Sequence, residues 1–258
     1  MNKLTKLTAS ALALVSASAT AEVTGEFSTG YSSEYFFRGM DRSAGLEALD
    51  FGLDFKGDCD CGLTWNAGVW YISTDSQASP DELDFYGSLG KDVSFGALSA
   101  NASVGYIRYT YPQNGQIAGT PTSGKRSHDG EIFLSLATEA YGLSLGATAY
   151  FGEEGRWDNG TWLDLNASYT QEIANGLSAT AKVGFGYSFG NYSTGGVQQP
   201  YGDMGGLALI TSSLGLQQIV SDSITVSAHV TNIQSTEDYG KAGGQDHTFY
   251  GLGATYTF

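Results

Sequence analysis

The sequence predicts an all-β protein: a transmembrane, up-and-down antiparallel β-barrel of about twelve strands that follows a cleaved signal peptide. Three observations predict it. Apolar and polar residues alternate with period two through most of the chain. Short and long connections alternate between those segments. The composition combines 36 Gly, 16 Tyr and 13 Phe with only 15% charged residues in a chain of 258. Glycine is at roughly twice its usual share. So aromatic and weakly charged a chain does not fit disorder. No run of 18 or more apolar residues offers a transmembrane helix. A net charge of −15 would repel phosphate, so nucleic acid is not an expected partner.

Residues 1–21 read as a secretory signal. Lys3 and Lys6 precede an apolar run from Leu7 to Val15, and Ala19-Thr20-Ala21 supplies a small-residue cleavage site. Loss of those two lysines takes the formal charge from −15 to −17. Residues 22–258 then form the barrel, with no composition break that would divide them.

Twelve segments follow in order. The first, 23–37, carries Phe27, Tyr35 and Phe37. In 46–56, Leu49, Phe51, Leu53 and Phe55 alternate with Asp50, Gly52, Asp54 and Lys56. In 62–73, Leu63, Trp65, Ala67, Val69 and Tyr71 alternate with Thr64, Asn66, Gly68 and Trp70. Segment 81–91 follows. In 97–111 the phase slips near Tyr106–Arg108, which predicts a bulge. Segments 129–139 and 142–152 come next. In 161–173, Leu163, Leu165, Ala167 and Tyr169 alternate with Asp164, Asn166, Ser168 and Thr170. Segment 177–189 is the longest clean run. In 205–219 the phase slips between Leu209 and Leu214, a second candidate bulge. Segment 223–233 precedes the last, 247–258, where Tyr250, Leu252, Ala254, Tyr256 and Phe258 alternate with Gly251, Gly253, Thr255 and Thr257.

Short turns fall at 57–62, 92–96, 140–142, 174–176 and 220–222. Longer polar stretches fill the other gaps, among them Pro112–His128. Short periplasmic turns and longer outer loops give this alternation, and strands of about ten residues suit a tilted bilayer crossing. A soluble sandwich is the rival, but the apolar sides are long and end in Tyr, Phe or Trp, as an aromatic girdle does. The chain stops in mid-alternation at Phe258. A terminal Phe with Tyr256 two residues before it resembles the signal by which bacterial barrels are recognised for assembly.

With the apolar side toward lipid, parity sends Asp50, Asp54, Glu82, Asp84, Glu131 and Asp164 into the lumen, with Lys56 and Lys182. Arg38 joins them as a basic residue one hairpin away from Asp50 and Asp54, which predicts an ion-pair cluster there. An acidic lumen concentrates cations. The function expected is passive diffusion of small hydrophilic, cationic solutes. Twelve strands are intermediate between a filled and a wide barrel, so a plugged barrel with a structural or surface-interaction role is the alternative.

The segment Tyr31-Ser-Ser-Glu-Tyr-Phe-Phe-Arg38-Gly39 resembles the opening signature of the TorF-type family of porins. Gly62-Leu-Thr-Trp-Asn-Ala-Gly-Val-Trp70, Glu82–Gly87 and Gly105–Pro112 are similar to three further family segments in the expected order. The resemblance spans roughly residues 22–112 and the terminal strand. It implies a bacterial outer-membrane barrel with porin activity, without a substrate. Glu34 replaces the usual Asp, and Asp41-Arg42 a Ser-Gln pair, which withholds any shared ligand.

Cys59 and Cys61 lie in a predicted periplasmic turn, where exported cysteines oxidise. A C-x-C disulfide ranks ahead of free thiols and of a metal site, for which only Asp58 and Asp60 are near. Ser227 and His229 share a face, the one arrangement that suggests an outer-membrane hydrolase, but no third group orients the imidazole. His128 and His247 sit at loop edges, where solvation is the default. No catalytic residue, metal site or cofactor is therefore expected. The partners expected are outer-membrane lipids and lipopolysaccharide, the barrel assembly machinery and small solutes, with the oligomeric state open.

Overall fold

The computed structural model describes residues 23–74, 81–96, 98–112, 128–154, 160–189, 205–241 and 244–258. The leader expected over 1–21 and residues 113–127 of the long Pro112–His128 connection lie outside them.

The elements in chain order are β1 (Val23–Ser32), β2 (Phe36–Phe37), β3 (Met40–Asp41), β4 (Ala48–Asp58), β5 (Thr64–Thr74), β6 (Glu82–Phe95) and β7 (Leu98–Thr110). Then come β8 (His128–Ala140), β9 (Leu143–Glu154), β10 (Thr161–Ala174), β11 (Leu177–Phe189), β12 (Gly206–Ser221), β13 (Ile224–Ser235), helix α1 (Glu237–Lys241) and β14 (His247–Thr257). β1 and β4 to β14 form one closed barrel of twelve antiparallel strands. Closure is made by β1, which pairs with β4 on one side and β14 on the other. A closed sheet leaves no unpaired edge, so every strand can cross lipid with its backbone satisfied.

The period-two alternation settles which face goes where. Leu49, Phe51 and Phe55 of β4, Phe85 and Leu89 of β6, Leu134 and Leu136 of β8, Leu214 and Leu216 of β12, and Tyr250 and Leu252 of β14 are all exposed on the outer surface. A soluble protein rarely exposes a contiguous apolar patch above a few hundred Å²; here the belt runs around the barrel. Among the described residues no helix is long and apolar enough to cross a membrane; the apolar belt lies on the strands. The chain is a closed β-barrel with an apolar outer belt of the kind that faces lipid. Both described ends, Val23 and Phe258, lie at the end of the barrel that carries the short turns, where Gly25 and Phe258 exchange backbone hydrogen bonds of 2.8 and 2.9 Å.

Two expectations are corrected. The first predicted strand, 23–37, ends at Ser32. Residues 33–47 turn back and pack inside the mouth opposite the short turns as a small hairpin, β2–β3. The hairpin tip is Arg38-Gly39, both at positive φ (50° and 75°), the pattern of a tight type I′ connection. Its base is tied by Ser43, whose amide donates to Asp41 Oδ1 (2.8 Å) and whose Oγ accepts from the Tyr35 amide (2.9 Å).

The second correction concerns the phase slips. The β6–β7 and β7–β8 registers run unbroken, with no bulge at Tyr106–Arg108. In β12 the register shifts opposite Gly186 and Tyr187, at Ala208, ahead of the predicted window. The slips record something else. Ile107, Tyr109 and Leu209 are apolar residues on the inward face, and they pack with Tyr111, Trp162, Ala208, Ile233, Tyr239, Phe36 and Phe37 in one cluster inside the mouth. The hairpin packs there, so the inward face turns apolar, without any break in register along β7 and with a single shift at Ala208 in β12.

Candidate functional site

The mouth of the barrel is organised around Arg38. Its Nη1 and Nη2 donate to Oε1 and Oε2 of Glu131 on β8 at 2.9 and 3.0 Å. The Arg38 side chain is 6% exposed and that of Glu131 is fully buried. The guanidinium also lies over the rings of Tyr150 (4.5 Å), Phe37 (4.7 Å) and Trp162 (5.4 Å), which adds cation–π attraction in a dry setting. Tyr109 Oη donates to Glu131 Oε2 (2.9 Å), and Trp162 Nε1 donates to Asp164 Oδ1 (2.7 Å). From above, Tyr239 of α1 donates its hydroxyl to the Arg38 carbonyl (2.7 Å), and the Gln245 amide bonds the Gly39 carbonyl (3.1 Å). Burial pushes the Tyr239 phenol above its ordinary pKa, so it stays a donor. The ion-pair cluster expected between Arg38 and Asp50 or Asp54 is therefore corrected: the hairpin tip reaches past β4 and pairs with β8.

Below and beside the hairpin stands an acidic wall on β4 and β6, with β5 between them. Register places Asp50 opposite Gly30 and Ile72, Asp54 opposite Glu26 and Gly68, and Asp84 opposite Trp70 and Tyr109. All occupy the face opposite the exposed belt. Tyr86 Oη donates to Asp54 Oδ1 (2.6 Å), Trp70 Nε1 to Asp50 Oδ1 (3.3 Å), and Tyr35 Oη to Glu82 Oε1 (3.3 Å). Glu82 and Asp84 are 7% and 5% exposed. Burial, and then the neighbouring Glu82 and Asp84 carboxylates, hold the Tyr35 phenol well above its ordinary pKa.

The remaining sequence candidates fall elsewhere. Lys56 lies opposite Thr24 and Asn66, near the inner end of β4, and Lys182 lies opposite Ser168 and Ser213 on the far wall. Cys59 and Cys61 are bonded to each other in the turn between β4 and β5. Tyr256 and Phe258 stack at 5.8 Å on the outer surface. Ser227 and His229 do share the inward face, but each lies over a glycine of β14, Gly253 and Gly251 respectively. His229 also meets Phe249 edge-on at 6.2 Å. His247, expected to be merely solvated, contacts Glu34 at 2.7 Å and so ties β14 to the start of the hairpin.

Two inward carboxylates escaped the sequence reading. Glu26 sits opposite Asp54, and Asp129 accepts from Tyr111 Oη at 3.1 Å. Parity was enough to find both, since Glu26 precedes the outward Phe27 and Asp129 lies two residues from Glu131. The aromatic partners Tyr35, Tyr109, Trp162 and Tyr239 carried no such signal.

Residues 16–250 match the model of Gcw_chp, described as a bacterial protein of unknown function. The chain belongs to the Gcw_chp family. The TorF-type name suggested by the motifs is not the one this match carries. No curated protein matches the chain in sequence. Solved structures do match this Gcw_chp chain in shape. An outer-membrane channel from Pseudomonas putida F1 is 12% identical with a TM-score of 0.54, over 92% of this chain and 95% of that one. The NanC porin is 11% identical with a TM-score of 0.51, over 90% and 98%. Outer membrane phospholipase A from Escherichia coli is 14% identical with a TM-score of 0.49, over 90% and 92%. At these identities the likeness is one of fold.

Proposed function

We propose that this barrel is a diffusion channel of the outer membrane for small hydrophilic cations, narrowed at its outer mouth by the Ser33–Glu47 hairpin. The observation that carries this reading is the acidic wall. Asp50, Asp54 and Glu26 line the inward face beneath the hairpin, only partly covered. A low-dielectric tube with one sign of charge on its wall raises the local concentration of the opposite ion. The channel fold of the Pseudomonas putida protein and of NanC supports it. The reading involves no chemistry on the solute, and Asp164, Lys56 and Lys182 serve as further lumen charges. Tyr256 and Phe258 serve assembly of the barrel, and the outer belt meets lipid and lipopolysaccharide.

A specific observation favours a second reading, a permanently plugged barrel with a structural or surface role: the hairpin is locked by a buried, two-bond ion pair. Planar-bilayer recordings on folded, heat-modifiable protein separate the two. Discrete conductance steps support the channel, whereas their absence from both wild type and Arg38→Ala removes it. A hydrolase is tested in the same preparation: phospholipid hydrolysis that disappears in His229→Ala would replace the channel reading.

A further inference from the structure

Both cysteines of the chain sit at the end of the barrel that carries the short turns. Four connections there, β6–β7, β8–β9, β10–β11 and β12–β13, use two residues each, whereas β4–β5 uses five, Cys59–Leu63. The bridge is not what folds this connection. The other four reverse the chain without cysteine. Here the Cys59 amide donates to the Leu63 carbonyl (2.8 Å) and the Gly62 amide to the Cys59 carbonyl (3.0 Å). A closed loop of so few residues also withdraws little entropy from the unfolded chain. What the longer connection does is carry the disulfide into the open. Asp58, Asp60, Cys61 and Gly62 are exposed, and a Cβ added at Gly62 would meet nothing within 4 Å. Exposed bridges are the labile ones, those that exchange with thiols. Residues 58–62 hold two carboxylates and no base. Lys56, the nearest base in sequence, belongs to the inward face of β4.

From this arrangement we infer that the Asp58–Gly62 connection is a thiol–disulfide exchange site, which accepts two electrons from thiols and favours thiols that carry positive charge. A thiolate attacks Sγ of Cys61, the more exposed of the pair. A bond forms between the two sulfurs as the Cys59–Cys61 bond breaks, and the electron pair leaves on Cys59 Sγ, which takes a proton from water. A second thiolate attacks the reductant's sulfur in the mixed disulfide and frees Cys61 as a thiolate, which is protonated in turn. The bridge is thus reduced to two thiols, and two thiols of the reductant are oxidised to one disulfide. Asp58 and Asp60 raise the local concentration of a cationic thiol and repel an anionic one. The inference goes beyond the channel reading and stands whether or not the barrel conducts.

The test uses the refolded full barrel in an uncharged detergent. Reduction by cysteamine, a cationic thiol, and by 2-mercaptoethanesulfonate, an anionic one, is followed by N-ethylmaleimide trapping and intact mass. Each rate is divided by that of the same thiol on 2-hydroxyethyl disulfide, which is small, linear and uncharged. Cysteamine should reduce the barrel at least as fast as the small disulfide. The normalised preference for cysteamine over the sulfonate should be about threefold or more at low salt. Asp58→Asn combined with Asp60→Asn leaves the bridge in place and should bring that preference toward parity, as should high salt. The reduced barrel should keep its heat-modifiable mobility, and cystamine should restore the bridge. Slower reduction than the small disulfide overturns the inference, because the bridge is then shielded. So does a preference that is absent from wild type or unchanged in the double variant. Loss of heat-modifiable mobility on reduction overturns it by making the bridge structural, and maleimide labelling of untreated protein does so by showing that no bridge is present.

Discussion

Arg38 and Glu131 stand 93 residues apart in sequence and meet in a two-bond fork of 2.9 and 3.0 Å inside the barrel. The pair joins a loop from the first hairpin to a strand on the other side of the mouth. Breaking a buried pair by removing one partner costs about 3–5 kcal/mol, because the other charge is left unpaired. Here that cost falls on docking of the hairpin and not on the twelve-strand ladder. Arg38→Ala or Glu131→Gln should therefore release residues 33–47 while the barrel stays folded. Faster amide exchange across 33–47 together with larger single-channel conductance is the expected result. Unchanged exchange and unchanged conductance would show that the pair does not hold the hairpin.

Tyr239→Phe removes the hydroxyl that caps the Arg38 carbonyl at 2.7 Å. A buried carbonyl left without its donor costs about 1–3 kcal/mol. The hairpin should exchange faster than in wild type but slower than in Arg38→Ala, and gating noise should rise. A variant indistinguishable from wild type in both measurements would place the latch elsewhere.

Gly186 makes room for Trp162. A Cβ at Gly186 would collide with Trp162 Cζ2 and come within 3.1 Å of Leu209 Cγ. Gly186→Val should force Trp162 out of the mouth cluster at about 1–3 kcal/mol, the usual range for overpacking. Tryptophan emission should shift to longer wavelength as the ring meets water. An unshifted spectrum would mean that the mouth repacks around the added carbon atoms.

The disulfide between Cys59 and Cys61 closes a very short loop. The same turn is already held by two backbone bonds, Cys59 N to Leu63 O (2.8 Å) and Gly62 N to Cys59 O (3.0 Å). Cross-link stabilisation shrinks as the closed loop shortens, so the double substitution Cys59→Ser/Cys61→Ser should lower stability by no more than about 2 kcal/mol. Urea unfolding followed by heat-modifiable mobility measures this, and a larger loss would give the bridge a role in assembly.

The acidic wall predicts selectivity. Asp50→Asn combined with Asp54→Asn removes two inward charges while keeping acceptors for Trp70 and Tyr86. The permeability ratio of potassium over chloride, from reversal potentials in a salt gradient, should fall at least about twofold. A ratio that does not move would take the acidic mechanism away.

Period-two alternation by itself determined the twelve barrel strands, the outward belt and the inward side of Asp50, Asp54, Glu82, Asp84, Glu131 and Asp164. That information is local, because each strand residue reports only whether its side chain meets lipid or the interior. Tertiary structure alone decided what fills the interior. The hairpin over residues 33–47 fills the mouth, so Ile107, Tyr109 and Leu209 are apolar on a face that is polar elsewhere, and in β7 the sequence pattern mimics a bulge that the register does not contain. Arg38 bypasses Asp50 and Asp54 for the same reason. The choice among buried carboxylates rests on which one the dry, aromatic pocket of Phe37, Tyr150 and Trp162 holds against the guanidinium. Those contacts join residues 93 to 201 positions apart, and no spacing along the chain encodes them.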